Sequence, residues 1–287
     1  MLDFPLASFP SPTLEVTELE DLLSYLKQAH QVDLTGYKRP CLMRRTLVRM
    51  QRVGVEHYQA YLDYLQQQSD EVRHLLNTIY INYTYFFRDH LVWDYLALQV
   101  VPQIIANKGP QKPIRVWSAG CATGEETYSL AMLLIAALGV EQFQKRVQIY
   151  GTDVDLDAIQ QARQGHYTAY QVEPMPSALK EQYFERSKNG YQWRQEFGPS
   201  MHFQQHNLIQ DLPLPRIDLL VCRNVLMYLT EATQLQILEG FYTSLEKNGF
   251  LLLGQAENLI TRPQLSLFTP IHRRSRVFTK VPRGDST

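Results

Sequence analysis

Between residue 15 and about residue 81, apolar positions recur every three to four residues. Leu19, Leu22, Leu23 and Leu26 form one such set; Tyr58, Tyr61, Leu62 and Leu65 a second; Val72, Leu75, Leu76 and Ile79 a third. That period predicts amphipathic helices, punctuated by Gly36, Pro40 and Gly54. No strand is predicted before residue 113. From there the pattern changes to short apolar runs alternating with helical stretches. Residues 114–119, 147–152, 217–222, 249–254 and 277–281 read as strands; 125–138, a segment starting near Asp155, and 231–245 read as helices. Strands alternating with helices imply a doubly wound, mostly parallel α/β sheet. Such sheets bind ligands past the carboxyl ends of their strands. Residues 185–203 fit this scheme poorly. Tyr191-Gln192-Trp193-Arg194 and Met201-His202-Phe203 predict an inserted antiparallel flap, with an irregular surface loop as the alternative.

The 287 residues suggest two domains. The expected division is a Pro/Ser-rich, disordered 1–13, an all-helical domain over 14–83 and an α/β domain over 84–287 that carries the flap. With 28 basic and 29 acidic residues the net charge is -1, so no whole-chain field favours nucleic acid or membrane. No apolar run approaches the ~18 residues of a membrane span, and residues 1–12 lack the basic start of a signal peptide. Cys41, Cys121 and Cys222 form no CxxC pair, so a reduced, cytoplasmic protein without a metal is expected. Charge is nonetheless segregated. Residues 34–55 hold Lys38, Arg39, Arg44, Arg45, Arg49 and Arg52 and no acid. On a helix, Arg45, Arg49 and Arg52 share one face, and Met43, Leu47 and Met50 the other. A solvated basic face is the common reading of such a run; docking of an acidic partner or of phosphates are the functional ones.

The first α/β strand leads into Ser118-Ala119-Gly120-Cys121-Ala122-Thr123-Gly124-Glu125-Glu126. Its glycines lie four apart, unlike a dinucleotide or Walker loop. A phosphate site wants an unopposed helix N-terminus, whereas this first turn holds two carboxylates. They suit a cationic ligand carrying amino and sulfonium groups. Thr123-x-x-Glu126 also matches a capping box. At the tip of the second strand, Asp153 stands where doubly wound folds bind ribose hydroxyls, with Asp155 or Asp157 as the N-cap of the next helix. Upstream, Asn82, Thr84 and Arg88 lie among aromatics. The Arg fork suits a carboxylate, and a packed linker with a surface Arg is the alternative.

Four motifs occur in order: Asn82-x-Thr84-x-Phe86-Phe87-Arg88; Trp117 to Glu126 followed by x-Tyr128-Ser129; Thr152-Asp153-Val154-Asp155; and Cys222-Arg223-Asn224-Val225. Together they resemble the CheR family of chemotaxis methyltransferases, over about residues 15–280. The resemblance implies a Rossmann-like class I methyltransferase sheet and S-adenosylmethionine as cofactor, with S-adenosylhomocysteine as product. It further implies O-methylation of glutamate carboxylates on the cytoplasmic helical domain of methyl-accepting chemoreceptors. By it, Asn82, Thr84 and Arg88 contact the cofactor, Arg88 on the methionine carboxylate and near the reacting centre. Glu126 faces the methionine amino group, with Glu125 as runner-up. Asp153 holds the ribose, Asn207 and Leu208 line the adenine pocket, Arg223 and Asn224 floor the site, and Tyr228 lies beside the substrate carboxylate. Arg45, Arg49 and Arg52 are the candidate docking residues.

The chain departs from the family at Thr127, where Pro or Ala is usual, and at Gln255-Ala256-Glu257, which replaces a Ser-Glu step and puts a secondary polar contact in question. The flap between Tyr183 and Phe203 is shorter than in members that grip a receptor's tethering peptide. No Ser/His/Asp or Cys/His constellation supplies a general base; an ionised glutamate, with a reference pKa of ~4.3, needs none. Two other functions make different demands. A nucleic-acid amino methyltransferase would carry (N/D)PP(Y/F) where this chain reads Cys222-Arg223-Asn224-Val225. A non-catalytic cofactor-sensing or scaffold module would not need Arg88, Asp153 and Asn224 intact.

Overall fold

The computed structural model describes residues 14–282, so the expectation for residues 1–13 lies outside the described residues. The chain divides into two units, one running to Ile81 and including Tyr228–Thr230, the other comprising Asn82–Met227 and the chain from Glu231 onward.

Among the described residues, four helices build the first unit: α1 Val16–His30, α2 Arg39–Val53, α3 Tyr58–Gln67 and α4 Glu71–Ile79. Leu19, Leu22, Leu23 and Leu26 bury one stripe of α1, whose start is closed by a Glu15/Glu18 capping box. Pro40 sits in the first turn of α2, where its missing N–H is no loss. The buried stripe of α2 is Leu42, Thr46 and Met50, while Met43 and Leu47 pack at its edge. This rotation from the expected face has a consequence. Arg49 turns inward, its Nε donating to Glu71 Oε1 at 2.7 Å, and Tyr61 Oη donates to the same oxygen at 2.9 Å. The Arg49 side chain is 15% exposed and that of Glu71 1%. The expectation that Arg49 docks a partner is therefore corrected: it is a cross-brace between α2 and α4.

The second unit opens with α5 His90–Tyr95 and α6 Val101–Lys108, joined by a π turn over Leu96–Val100. There follow β1 Ile114–Ala119, α7 Glu125–Leu138, α8 Val140–Arg146, β2 Val147–Asp153, α9 Leu156–Gln164, β3 His166–Tyr167, α10 Ala169–Val172 and α11 Ser177–Tyr183. Next come β4 Phe184–Ser187, β5 Gly190–Trp193, β6 Met201–Gln205, β7 Ile217–Cys222, α12 Glu231–Ser244, β8 Leu245–Leu253, α13 Arg262–Leu267, β9 Phe268–His272 and β10 Val277–Lys280. Seven strands form one sheet in the order β6-β2-β1-β7-β8-β10-β9. Pairs from β6 through β8 are parallel, and β10 runs antiparallel to both its neighbours. Successive connections leave β1 in opposite directions, toward β2 and toward β7, which makes the crevice between those strand tips the topological switch point.

β7 is buried along its whole length, as a central parallel strand must be. Its one charge, Asp218, takes Lys108 Nζ at 2.9 Å and the Arg115 N–H at 3.0 Å. On α7, buried residues surround the axis, as expected of a helix packed into the core rather than onto the surface.

The antiparallel flap is present, but its strands are not all the expected ones. β4 and β5 form a hairpin, and β3 adds to β5 as a third strand. Met201-His202-Phe203 does not belong to it. After a 3-10 turn over Gln195–Ser200, these residues enter the main sheet as β6, in parallel register with β2 from Ile149↔Met201 onward. Phe203 settles over Gly151, where a Cβ would lie 2.6 Å from its ring. β9, at the opposite edge, was not foreseen.

Candidate active site

β1, β2 and β7 end at one crevice within the α/β unit, and the loops past those ends are locked to one another. Gly120 (φ +76°) reverses the chain after β1 in a conformation that side chains resist. Its N–H and that of Cys121 donate to Thr152 O at 2.7 and 2.9 Å. Asp153 then completes the latch: Oδ2 accepts from the Ala122 N–H at 2.8 Å and Oδ1 from the Asp155 N–H at 3.0 Å. Asp155 is the N-cap of α9, accepting from Asp157 N–H and Ala158 N–H. It also takes Asn82 Nδ2 at 2.6 Å. Asn82 thereby ties its own segment to the tip of β2.

The capping box expected at Thr123-x-x-Glu126 is not formed. Gly124 is the N-cap of α7, and Thr123 Oγ1 donates to Glu125 Oε2 at 2.6 Å. The two acids of the first turn have different surroundings. Glu125 is 2% exposed and also receives Gln171 Nε2 at 3.2 Å, so its oxygens are engaged inside the protein. Glu126 is 9% exposed; it accepts from Ser118 Oγ at 2.8 Å and from Arg223 Nη1 at 3.3 Å. Burial raises both carboxyls above their usual range, opposed at Glu126 by Arg223, Ser118 and Arg88. Asp153 is raised by burial as well.

Arg223 links three parts of the site. Besides Glu126, it donates through Nη2 to Asp89 Oδ2 at 2.5 Å and to Arg88 O at 3.0 Å. Arg88 donates to Tyr83 O at 2.9 Å, and its guanidinium lies 5.4 Å from the Tyr83 ring centroid. The backbone of this segment is held by Ser129, whose Oγ accepts from the Phe87 N–H at 3.0 Å. Thr84, between Asn82 and Arg88 in the chain, is half-buried. Asn224 adopts φ +61°, and its Oδ1 is buried without a partner.

Past β6, Asn207 Oδ1 accepts from the Ile209 N–H at 2.9 Å, while its own N–H donates to Asp211 Oδ2 at 2.8 Å. Leu208 helps line a cavity of about 240 Å³ with Trp117, His206, Pro213, Ile237 and Phe241. Tyr228 clusters with the helical unit, its carbonyl accepting from the Lys38 N–H at 2.9 Å. On α2 of that helical unit, Arg44 and Arg52 are exposed and Arg45 half-buried.

Sequence reasoning missed Ser118, Asp89, Ser129 and Glu257, which act through other protein groups rather than from the crevice. Asp89 directly follows Arg88 and Ser129 closes the second motif, but neither carries a periodic signal. Burial raises the Cys121 and Cys222 thiols well above their ordinary range, so neither is a thiolate nucleophile at neutral pH.

What can this arrangement do? Buried carboxylates at a helix N-terminus, with no lysine or phosphate-binding glycine run, favour a cation. Asn224 Oδ1 is a buried acceptor without a hydrogen-bond partner in the protein. These features fit the amino-acid and nucleoside ends of S-adenosylmethionine.

Comparison with known proteins bears on the same residues. The family model described as CheR methyltransferase, SAM binding domain, matches residues 82–274, and the CheR methyltransferase all-alpha domain matches residues 17–80. The chain is similar to the chemotaxis protein methyltransferase of Listeria innocua, at 30% identity over 83% of this chain and 88% of the relative. To chemotaxis protein methyltransferase 2 of Vibrio cholerae it is 28% identical, over 91% and 92%. An uncharacterized 104.1 kDa protein of Rhodobacter capsulatus is 31% identical over 88% of this chain, which spans 27% of that protein's length.

Proposed function

Since the chain belongs to the CheR methyltransferase family, we propose that it methylates glutamate side chains on the helical cytoplasmic domain of chemoreceptors. S-adenosylmethionine is its cofactor. That donor supplies an electrophilic methyl on a cationic sulfur, which a carboxylate turns into a methyl ester, with S-adenosylhomocysteine as by-product. The observation that carries the reading is the acidic first turn of α7, where the buried Glu126 carboxyl lies among Ser118, Arg223 and Arg88.

In this reading Glu126 binds the amino group of the donor, alongside the guanidinium groups of Arg223 and Arg88 that already favour its ionised form. Arg88 binds the carboxylate at the same end and orients the reacting groups, and Asn82 and Thr84 line its approach. Asp153 accepts from the ribose hydroxyls. Asn207 and Leu208 flank the adenine, and Arg223 and Asn224 form the floor. Tyr228, four residues beyond Asn224, orients the acceptor carboxylate. Because a glutamate is ionised at neutral pH, the chain has no proton to remove; alignment of the reactants is its contribution. Arg44, Arg45 and Arg52 of α2 offer an acidic receptor helix a basic docking face. Arg49, engaged with Glu71, is left out of that role.

Incubation with methyl-labelled S-adenosylmethionine and receptor cytoplasmic fragments tests the proposal. Label released as methanol by mild base is the expected result. Base-stable label would mean transfer to nitrogen or carbon and would overturn the ester assignment.

A further inference from the structure

Where β7 ends, the chain bends sharply through Arg223 and Asn224 to Met227, and one carboxylate lies beneath the bend. Glu257 Oε2 accepts from the Gly254 N–H at 2.7 Å and the Asn224 N–H at 3.0 Å. Its Oε1 accepts from the Val225 N–H at 2.8 Å and the Met227 N–H at 3.3 Å. The side chain is 5% exposed. Four N–H donors converging on one group require an acceptor-only side chain with two oxygens, which only a carboxylate provides.

Space around the bend is closed. A Cβ on Gly254 would stand 2.8 Å from both Asn224 N and Glu257 Oε2, and one on Gly120 2.3 Å from Val225 Cγ2. The bend therefore fits against the loop after β1 on one side and the tip of β8 on the other. Within it, Asn224 is kept in the left-handed region, which Asn tolerates better than most residues, and presents its unpartnered Oδ1.

We infer that Glu257 is a positioning residue for methyl transfer: it clamps the bend so that Asn224 is pre-set for the donor. This rests on the proposed function, in which Asn224 contacts the donor, and adds the group that fixes it. Glutamine cannot replace it, because either amide rotamer turns an NH₂ toward two N–H groups. Aspartate, shorter by a methylene, withdraws the oxygens from the bend.

A double-mutant cycle on the full chain, read as S-adenosylhomocysteine affinity by calorimetry and as thermal midpoint, tests this. Glu257→Gln is expected to weaken binding by about tenfold or more, because the released bend must be re-set when the ligand binds. In an Asn224→Ala background the same change should weaken it by no more than about twofold, because the clamp then has nothing to position. Should Glu257→Gln fail to fold, Glu257→Asp takes its place in the cycle. Losses that multiply independently, or wild-type affinity in Glu257→Gln, would overturn the inference while leaving the methyltransferase reading intact. A wild-type chain with no affinity for S-adenosylhomocysteine would overturn both.

Discussion

At the residue scale, the raised carboxyls of Glu125, Glu126 and Asp153 have a measurable consequence. Burial lifts all three above their ordinary values. The folded chain without ligand thus holds their protons more tightly than the unfolded chain. The stability this gives is present at low pH and is lost as pH rises through the raised values. A cation beside Glu126 reverses that preference by favouring the ionised form. Binding of S-adenosylhomocysteine should therefore release protons above the ordinary carboxylate range, wherever the raised groups of the ligand-free chain still hold them. Affinity should decline as pH falls through those raised values. Calorimetry in buffers of different ionisation enthalpy counts the protons; none released from the wild-type chain at any pH would remove Glu126 as the amine's partner. Glu126→Gln should cut the release and weaken binding about tenfold. For Arg88→Ala, kcat/KM for methyl transfer should drop about a hundredfold or more, from lost orientation; near-normal turnover would refute that role. These acids were legible in the sequence because they sit at strand tips and a helix start. The capping box was misread because a Thr-x-x-Glu spacing does not reveal that Gly124, at φ +97°, takes the cap position.

Elements show where local pattern is enough and where it is not. The parallel strands β1, β2 and β7 announce themselves by apolar runs, and α7 by its apolar stretch from Leu130 to Leu138. β6 does not, because Met201-His202-Phe203 alternates like a surface hairpin. Only its register with β2 and the bare surface of Gly151 bring it into the main sheet. A similar limit applies to α2. Its apolar positions allow two neighbouring stripes, and the buried carboxylate of Glu71 selects the one that turns Arg49 inward. That ion pair is not surface decoration. Glu71→Ala would leave Arg49 and the Tyr61 hydroxyl without their shared acceptor, and should destabilise the chain by about 3 kcal/mol, the low end for a broken buried pair. The partial exposure of Arg49 limits the loss, since its guanidinium can swing to water. Replacing all three partners, Arg49→Met with Glu71→Leu and Tyr61→Phe, should come within about 1 kcal/mol of wild type. Urea unfolding measures both, and equal losses in the single and triple variants would show that the pair is not the source of the stability.

On the scale of the whole molecule, a net charge of -1 conceals a local concentration of positive charge. Of the six basic residues between 34 and 55, two are neutralised within the helical unit, Arg39 by Glu20 and Arg49 by Glu71. Arg44, Arg45 and Arg52 form no ion pair among the described residues. If they dock an acidic receptor helix, their contribution is long-ranged and must shrink with salt. Exposed charges act over about 10 Å at 0.1 M ionic strength and about 3 Å at 1 M. Charge reversal at two of them, Arg44→Glu with Arg52→Glu, should therefore lower kcat/KM for receptor methylation by about tenfold at low ionic strength. Near 1 M salt the variant should approach the wild-type rate to within about twofold. S-adenosylhomocysteine affinity should not move at either salt, because neither residue belongs to the crevice built by β1, β2 and β7. A loss that persists unchanged in high salt would point to misfolding of α2 rather than to docking. A variant as active as wild type at low salt would leave the three arginines as solvated surface, and the receptor would have to be recognised elsewhere on the chain.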